Sequence, residues 1–253
     1  MALEWEAPGI VLDARLYGAA DALVTVFTEE HGAWRGLARG GASRRQAALW
    51  QAGNLIQARW VARLSEQLGT MTAELVHAAA PGVMDDALAL AMLSASCAVA
   101  EGALPEREAH PRVFTGLLRL IAHISKGAEM LPDLVRWEAD LLADLGYGID
   151  LSRCAVSGEV AGLAFVSPRT GRAVTREAAG EWAGKLLTLP GFLVGSNYAE
   201  AEDWRDGLAL TGHFLVRDAF GHHHRPLPQA RAMLSDRVAG MVRKDNQAPP
   251  ESS

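Results

Sequence analysis

The chain has two cysteines, Cys97 and Cys154, among 253 residues. Two thiols do not make the disulfide framework that staples small secreted domains, so a reducing, intracellular setting is the simpler expectation. Cys97 stands in the apolar run MLSASCAVA and reads as a small core residue. No stretch reaches the roughly 18 uncharged apolar residues of a membrane span, and the longest candidate, 87–100, is too short. The start MALEWEAPGIVL carries acids where a secretory signal carries a basic region. Together these absences point to the cytoplasm.

Signatures of catalysis are missing as well. There is no GxSxG elbow, Walker loop, Rossmann fingerprint, HExxH helix or kinase set. A hydrolase or nuclease reading rests only on scattered histidines and acids. His222, His223 and His224 invite a metal reading, but adjacent side chains of an extended segment point to opposite faces. They do not converge on one tetrahedral ion without further ligands, and the plainer reading is a solvated cap or interdomain contact. No cofactor is expected.

What is present is a local excess of positive charge. The whole protein is acidic at net −6, yet His31 to Gly69 holds six arginines (Arg35, Arg39, Arg44, Arg45, Arg59, Arg63) and one acid, Glu66. Trp34, Trp50 and Trp60 interleave with them. Arginine offers a planar fork for phosphate oxygens and aromatic rings can stack on bases, so a nucleic-acid surface is one reading. The other is a glycine-rich turn between strands, with buried tryptophans and solvated arginines.

An apolar fraction of 49% is ample for packed cores in one large or two modest domains. GIVLDARLY and ALVTVFT, followed by segments near 34–38, 54–63 and 69–76, read as five short strands separated by turns, enough to close a small barrel. GGASRRQAALW then joins strands three and four, where arginines can project without disturbing the core. Arg59 and Arg63 share parity and are expected on one side of strand four. After AAAPG the pattern turns helical, over 83–100, 111–124, 132–145, 176–188, 204–220 and 227–244, with a strand at 163–166. Leu134, Trp137, Leu141 and Leu145 form a stripe suited to the core. The expected fold class is therefore α+β. Its first domain is 1–80, its α-rich domain 81–244, and its tail, DNQAPPESS at 245–253, reads as disordered.

Within the second domain, Cys154 and Ser157 are spaced like one half of a zinc ribbon, and Ser167 and Thr170 like the other. Neutral hydroxyls cannot replace thiolates on zinc, so the pattern is degenerate and the spacing alone is weak. Arg169, Arg172, Arg176 and Lys185 make a second basic cluster, able to meet a phosphate backbone or an acidic protein segment.

These elements resemble the RecO family of bacterial recombination and DNA-repair mediators. GIVLDARLYGAADALVTVFTEEHGAWRGLARGG is similar to that family's first strands and basic turn, and QAGNLIQARWVARLSEQLGTMTAEL to the rest of its N-terminal OB fold. LLADLGYGIDLSRCAVSG and FVSPRTGRAV resemble its central segment, and the likeness runs to about Met241. Some members hold a four-cysteine zinc site there. Its positions fall on Cys154, Ser157, Ser167 and Thr170, which departs from the pattern at three of four, so the resemblance implies a metal-free, zinc-ribbon-like turn region at 150–174.

The resemblance further implies a non-enzymatic, nucleoid-associated protein that binds single- and double-stranded DNA and anneals complementary strands. It implies work with a RecR-like partner to load the RecA recombinase onto DNA coated by single-strand-binding protein. Arg35, Arg39, Arg44 and Arg45 are the first expected DNA contacts, then Arg59 and Arg63. The acidic tail of single-strand-binding protein is expected either near Arg112 and Arg119 or near Arg172, Arg176 and Lys185. An alternative is an adaptor whose OB fold docks on a recombination partner that itself supplies most of the DNA contact.

Overall fold

A computed structural model describes residues 3–64 and 66–245. Packing divides the chain into two compact units, Met1–Ala128 and Glu129–Ser253. The division expected near Pro81 follows the change from strands to helices, whereas packing groups the first two helices with the sheet.

Unit one is built on five strands: β1 (Leu3–Tyr17), β2 (Asp21–Thr28), β3 (Gly32–Ala38), β4 (Leu55–Ala62) and β5 (Thr70–His77). They close on themselves in the order β1-β2-β3-β5-β4. Closure depends on the length of β1, whose first half pairs with β4 and whose second half pairs with β2. A register shift between Val11 and Asp13 marks the bend between those two duties. The strand expected from the sequence begins only at GIVLDARLY, so this first half is legible only through its pairing with β4.

Alternation sets the interior. Along β4, Ile56, Ala58, Trp60 and Ala62 are buried, while Arg59 between them is exposed. Val11, Val24, Val26 and Met71 join them in one core, and each larger side chain so buried contributes about 1.5–3 kcal/mol. Trp60 also donates its indole N–H to the Leu68 carbonyl at 2.9 Å.

Two helices complete the unit. Asp86 caps α1 (Ala87–Ala103) by accepting from the amides of Leu88 and Ala89. Pro111 opens α2 (Pro111–His123), and its Phe114 ring meets Phe27 of β2 edge-on at 5.4 Å. Between the helices the chain crosses the edge of β3. Glu106 bridges to Ala33 in parallel, and the Arg107 amide donates to the Ala33 carbonyl at 2.8 Å. β3 meets β5 through the parallel pair Leu37 and Thr70, so this crossing takes up edge that β5 leaves. Gly32, at φ 71°, is required here, because a Cβ on it would lie 1.9 Å from the Glu108 carbonyl oxygen. LPEREA has no strand signal, and sequence reading missed the crossing.

Unit two contains α3 (Leu131–Asp144), the sheet β7-β6-β8 (Ala173–Thr175, Leu163–Val166, Leu187–Thr188), the short α4 (Arg176–Ala179), α5 (Ala201–Phe214) and α6 (Gln229–Asp245). The stripe of α3 buries Leu134, Trp137 and Leu141, with Leu145 half-buried past its end. Arg231 of α6 and Glu138 of α3 are both fully buried. Their charge-assisted bonds measure 2.5 and 2.9 Å, and Thr211 of α5 donates to the same carboxylate. This polar knot fixes how three helices meet.

The helix expected over 176–188 is a correction. Its α-helical part runs only four residues, because Gly180 at φ 46° breaks the α-helix; the chain continues as a 3-10 helix over Gly180–Lys185, and Leu187–Thr188 pairs instead as the edge strand β8. Past α5 the chain continues as a π-helical turn, Leu215–Phe220. The tail expected at 245–253 lies outside the described residues except for Asp245. No helix among the described residues is long and apolar enough to cross a membrane.

Candidate nucleic-acid interface

The arginine-rich segment does join β3 to β4, but it is a held loop. Gly40 donates its amide to the Asp21 carboxylate at 2.7 Å, and Ala42 donates to the Ala20 carbonyl at 2.9 Å. At the far end Asn54, fully buried, donates from Nδ2 to the carbonyls of Ala48 and Leu49 and accepts from the Ala79 amide. Two backbone segments, 48–49 and the one holding Ala79, are thus gathered on one side chain. With the backbone groups satisfied from below, the loop's long side chains are left to solvent.

The six arginines of this region fall into two sets. Arg39, Arg44 and Arg45 are exposed on the loop, and no ion pair engages them among the described residues. Arg63 is exposed too, but it lies past the end of β4, so it does not share a strand face with Arg59 as its parity suggested. Arg35 is half-buried between two carboxylates, Glu101 at 3.2 Å and Glu106 at 2.9 Å. Arg59 pairs with Glu4 at 2.8 Å, and a shallow cavity of about 280 Å³ beside it is also lined by Glu6 and Glu74. A phosphate approaching Arg35 or Arg59 also meets the carboxylates paired with them, which offsets part of their attraction.

The tryptophans are structural in place. Trp60 and Trp50 are 2% and 4% exposed, within the barrel core. Trp34 is half-buried, edge-on to Trp60 at 4.9 Å, with the Arg107 guanidinium 4.6 Å from its ring centre. Trp5 stacks on His31 at 4.7 Å on the same cluster. Sequence reading missed Trp5 and Arg107, because both reach the cluster from distant parts of the chain.

The other cations expected to meet partners are split between the units. Arg112 and Arg119 are exposed on α2, seven residues apart and so on one helical face. In unit two, Arg172 lies 3.6 Å from Asp150, whose carboxyl is held below its usual range first by the Ser152 hydroxyl and amide, then by Arg172 and Arg153. Arg176 sits over the Phe165 ring at 5.7 Å, and Lys185 over the exposed Trp182 at 4.6 Å.

Hydrogen bonds hold the ribbon-like turns. Cys154 is 2% exposed, and its sulfur accepts from the amides of Ser157 at 3.4 Å and Thr175 at 3.3 Å. Burial works to raise its pKa, but the bonds from Ser157, Thr175 and Val156 outweigh it and lower the thiol from 9.0 to about 6. Ser157 gives its hydroxyl to Glu159 at 2.9 Å, and Ser167 Oγ accepts from the Thr170 amide at 3.3 Å. Hydroxyls engaged within their own turns, beside one thiol, do not fit zinc. The second turn is gripped from outside as well: His213 Nε2 lies 3.0 Å from the Pro168 carbonyl, and Arg217 donates to the carbonyls of Pro168 and Arg169. Near the histidine run, His222 stacks on Tyr147 at 5.4 Å; the side chain of His223 lies outside the described residues.

Comparison with known proteins agrees with this architecture. Residues 1–79 match the family model described as recombination protein O N terminal, and 84–226 match recombination protein O C terminal. Proteins named DNA repair protein RecO are similar along their whole length. The one from Granulibacter bethesdensis is 54% identical, covering 97% of this chain and 99% of its own; that from Acidiphilium cryptum is 57% identical, covering 97% and 100%. A third, from Gluconacetobacter diazotrophicus, is 56% identical over 93% of this chain and 95% of its own.

Proposed function

The chain belongs to the recombination protein O family, and on that premise we propose that it is a DNA-binding mediator of recombinational repair which makes and breaks no bond itself. Its five-stranded barrel is an OB fold in this reading, and the strand order 1-2-3-5-4 supports that identification. The observation that carries the function is the loop between β3 and β4, which presents Arg39, Arg44 and Arg45 with no ion pair among the described residues, on a backbone held from below.

Such a surface binds phosphate without reading bases, so it accepts single and double strands alike. It also lowers the repulsion between two backbones, which is the physical requirement for annealing. The acidic remainder of the protein repels DNA elsewhere and confines it to the loop. A RecR-like partner, the acidic tail of single-strand-binding protein, and delivery of RecA complete the role expected for this family. The tail finds two basic surfaces: Arg112 and Arg119 on α2, and the set Arg172, Arg176 and Lys185. In the second, Lys185 over the exposed Trp182 combines charge with an apolar face, which suits an acidic peptide with an aromatic end.

Strand annealing followed by fluorescence across a salt series, with and without the partner, tests the proposal. Annealing that is fastest at low salt and slowed by charge reversal at Arg44 and Arg45 is the expected result; no DNA binding at low salt overturns it. The adaptor reading draws on Leu16 and Tyr17, whose side chains are 68% and 54% exposed at the β1–β2 hairpin and suit a protein face. It predicts DNA affinity only in the presence of the partner.

A further inference from the structure

Strand pairing places Arg15 of β1 and Arg35 of β3 on one face of the barrel wall. Arg15 stands opposite Leu23 and Arg35 opposite Thr25, two positions apart on β2, so both share the face turned away from the core residues Val24 and Val26. Arg15 also borders the arginine loop, since it lines one shallow cavity with Gly41, Ala42 and Ala47. A row of cations therefore runs from the loop through Arg15 to Arg35.

Carboxylates interrupt that row. Glu101, near the end of α1, lies 3.2 Å from Arg35 and 3.6 Å from Arg15, and so bridges the two. Glu106 takes the other arm of the Arg35 fork at 2.9 Å, and Asp13 pairs with Arg15 at 2.6 Å. Arg35 thus meets a carboxylate oxygen at each terminal nitrogen, the two arms with which a guanidinium grips a phosphate. The acids are placed by the backbone and not by Arg35: Glu101 stands on a helix, and Glu106 bridges to Ala33 in the crossing over β3. Two cations against three acids leave the group net negative, although Arg15 is 67% exposed.

We infer that Arg35 is a latent phosphate contact at the end of this row, masked by Glu101 and Glu106, which hold the DNA footprint to the loop. Each acid gives Arg35 the oxygen acceptor and the negative charge that a phosphate gives, so the two compete for the same arms. Neutralising both acids frees the fork and leaves two cations against Asp13 alone. The inference rests on the reading of the loop as a DNA surface, and adds to it what limits that surface.

Binding of fluorescent oligo-dT across a salt series tests it, for the wild type, Glu101→Gln with Glu106→Gln, and the same pair with Arg35→Ala added. One gained phosphate contact on a single strand carries a salt slope of about 0.7, which amounts to about fivefold in affinity between about 1 M and about 0.1 M salt. The glutamine pair should therefore bind about fivefold more tightly than the wild type at low salt, with a slope steeper by about 0.7. Adding Arg35→Ala should return both values to those of the wild type. Glu106→Gln alone, at an exposed side chain, should give part of the gain, and it stands if the double variant does not fold. No gain in the glutamine variants, or a gain that survives Arg35→Ala, overturns the inference and leaves the arginine loop intact. Failure of the wild type to bind at low salt overturns the DNA surface itself.

Discussion

The loop between β3 and β4 and the turn region around Cys154 are both arginine-bearing turns anchored by polar bonds, but they use their cations differently. In the loop the anchoring is done by Asp21 and Asn54, and Arg44 and Arg45 are left over. In the turn region the cations take part in the anchoring: Arg217 grips the carbonyls of Pro168 and Arg169, Arg172 faces Asp150, and Arg176 covers Phe165. Charge density read from sequence is equal evidence for both. Availability depends on whether another group has already engaged the cation.

Arg231 is the extreme case of an engaged cation, wholly committed to the interior. Arg231→Met leaves Glu138 buried without its partner and should cost about 3–5 kcal/mol in denaturant unfolding. A loss below about 1 kcal/mol would mean that the knot is not what joins the three helices.

At the opposite extreme, Arg44→Glu with Arg45→Glu should weaken DNA binding about tenfold or more, by a similar factor for unrelated sequences, while unfolding stability changes by less than about 0.5 kcal/mol. Loss of affinity for one sequence alone contradicts a backbone contact.

Cys154 tests whether the turn is closed by hydrogen bonds to sulfur. Its folded pKa lies below the ordinary value, so ionisation stabilises the fold: the contribution is complete above about 9, and is lost as pH falls through about 6. The stability difference between wild type and Cys154→Ala should therefore widen from pH 6 to pH 9. Cys97, pushed up to about 12 by burial, adds nothing in that window. A difference that stays flat with pH removes the thiolate from the account.

The smallest effect is expected at Arg59, paired with Glu4 on the barrel surface. Arg59→Ala should change stability by less than about 1 kcal/mol and DNA affinity by less than about twofold. A loss matching that of the Arg44 and Arg45 variant would erase the distinction between paired and unpaired arginines.

Much of this was legible locally. Short runs between turn signals located the five barrel strands and Leu163–Val166, and the buried stripe of α3 followed from its spacing. What escaped was set by distant partners. Glu101 and Glu106, which engage Arg35, belong to a helix end and a crossing some seventy residues away, as the separation of 66 to Glu101 shows. The crossing over β3 is fixed by Gly32 and Arg107 and has no pattern of its own. β7 and β8 are too short, at three and two residues, to show a period. Hence the position of the arginine loop could be read from sequence, but the pairing of Arg35 and Arg59 could not.

The salt dependence of single-strand binding tests the central claim most directly, for wild type, Arg44→Ala with Arg45→Ala, and Arg35→Ala with Arg59→Ala. Two lost phosphate contacts should flatten the slope of log affinity against log salt by about 1.4 in the loop variant. The paired-arginine variant should keep the wild-type slope. An unchanged slope in the loop variant, or an equal flattening in both, contradicts the assignment of the β3–β4 loop as the DNA-contacting surface.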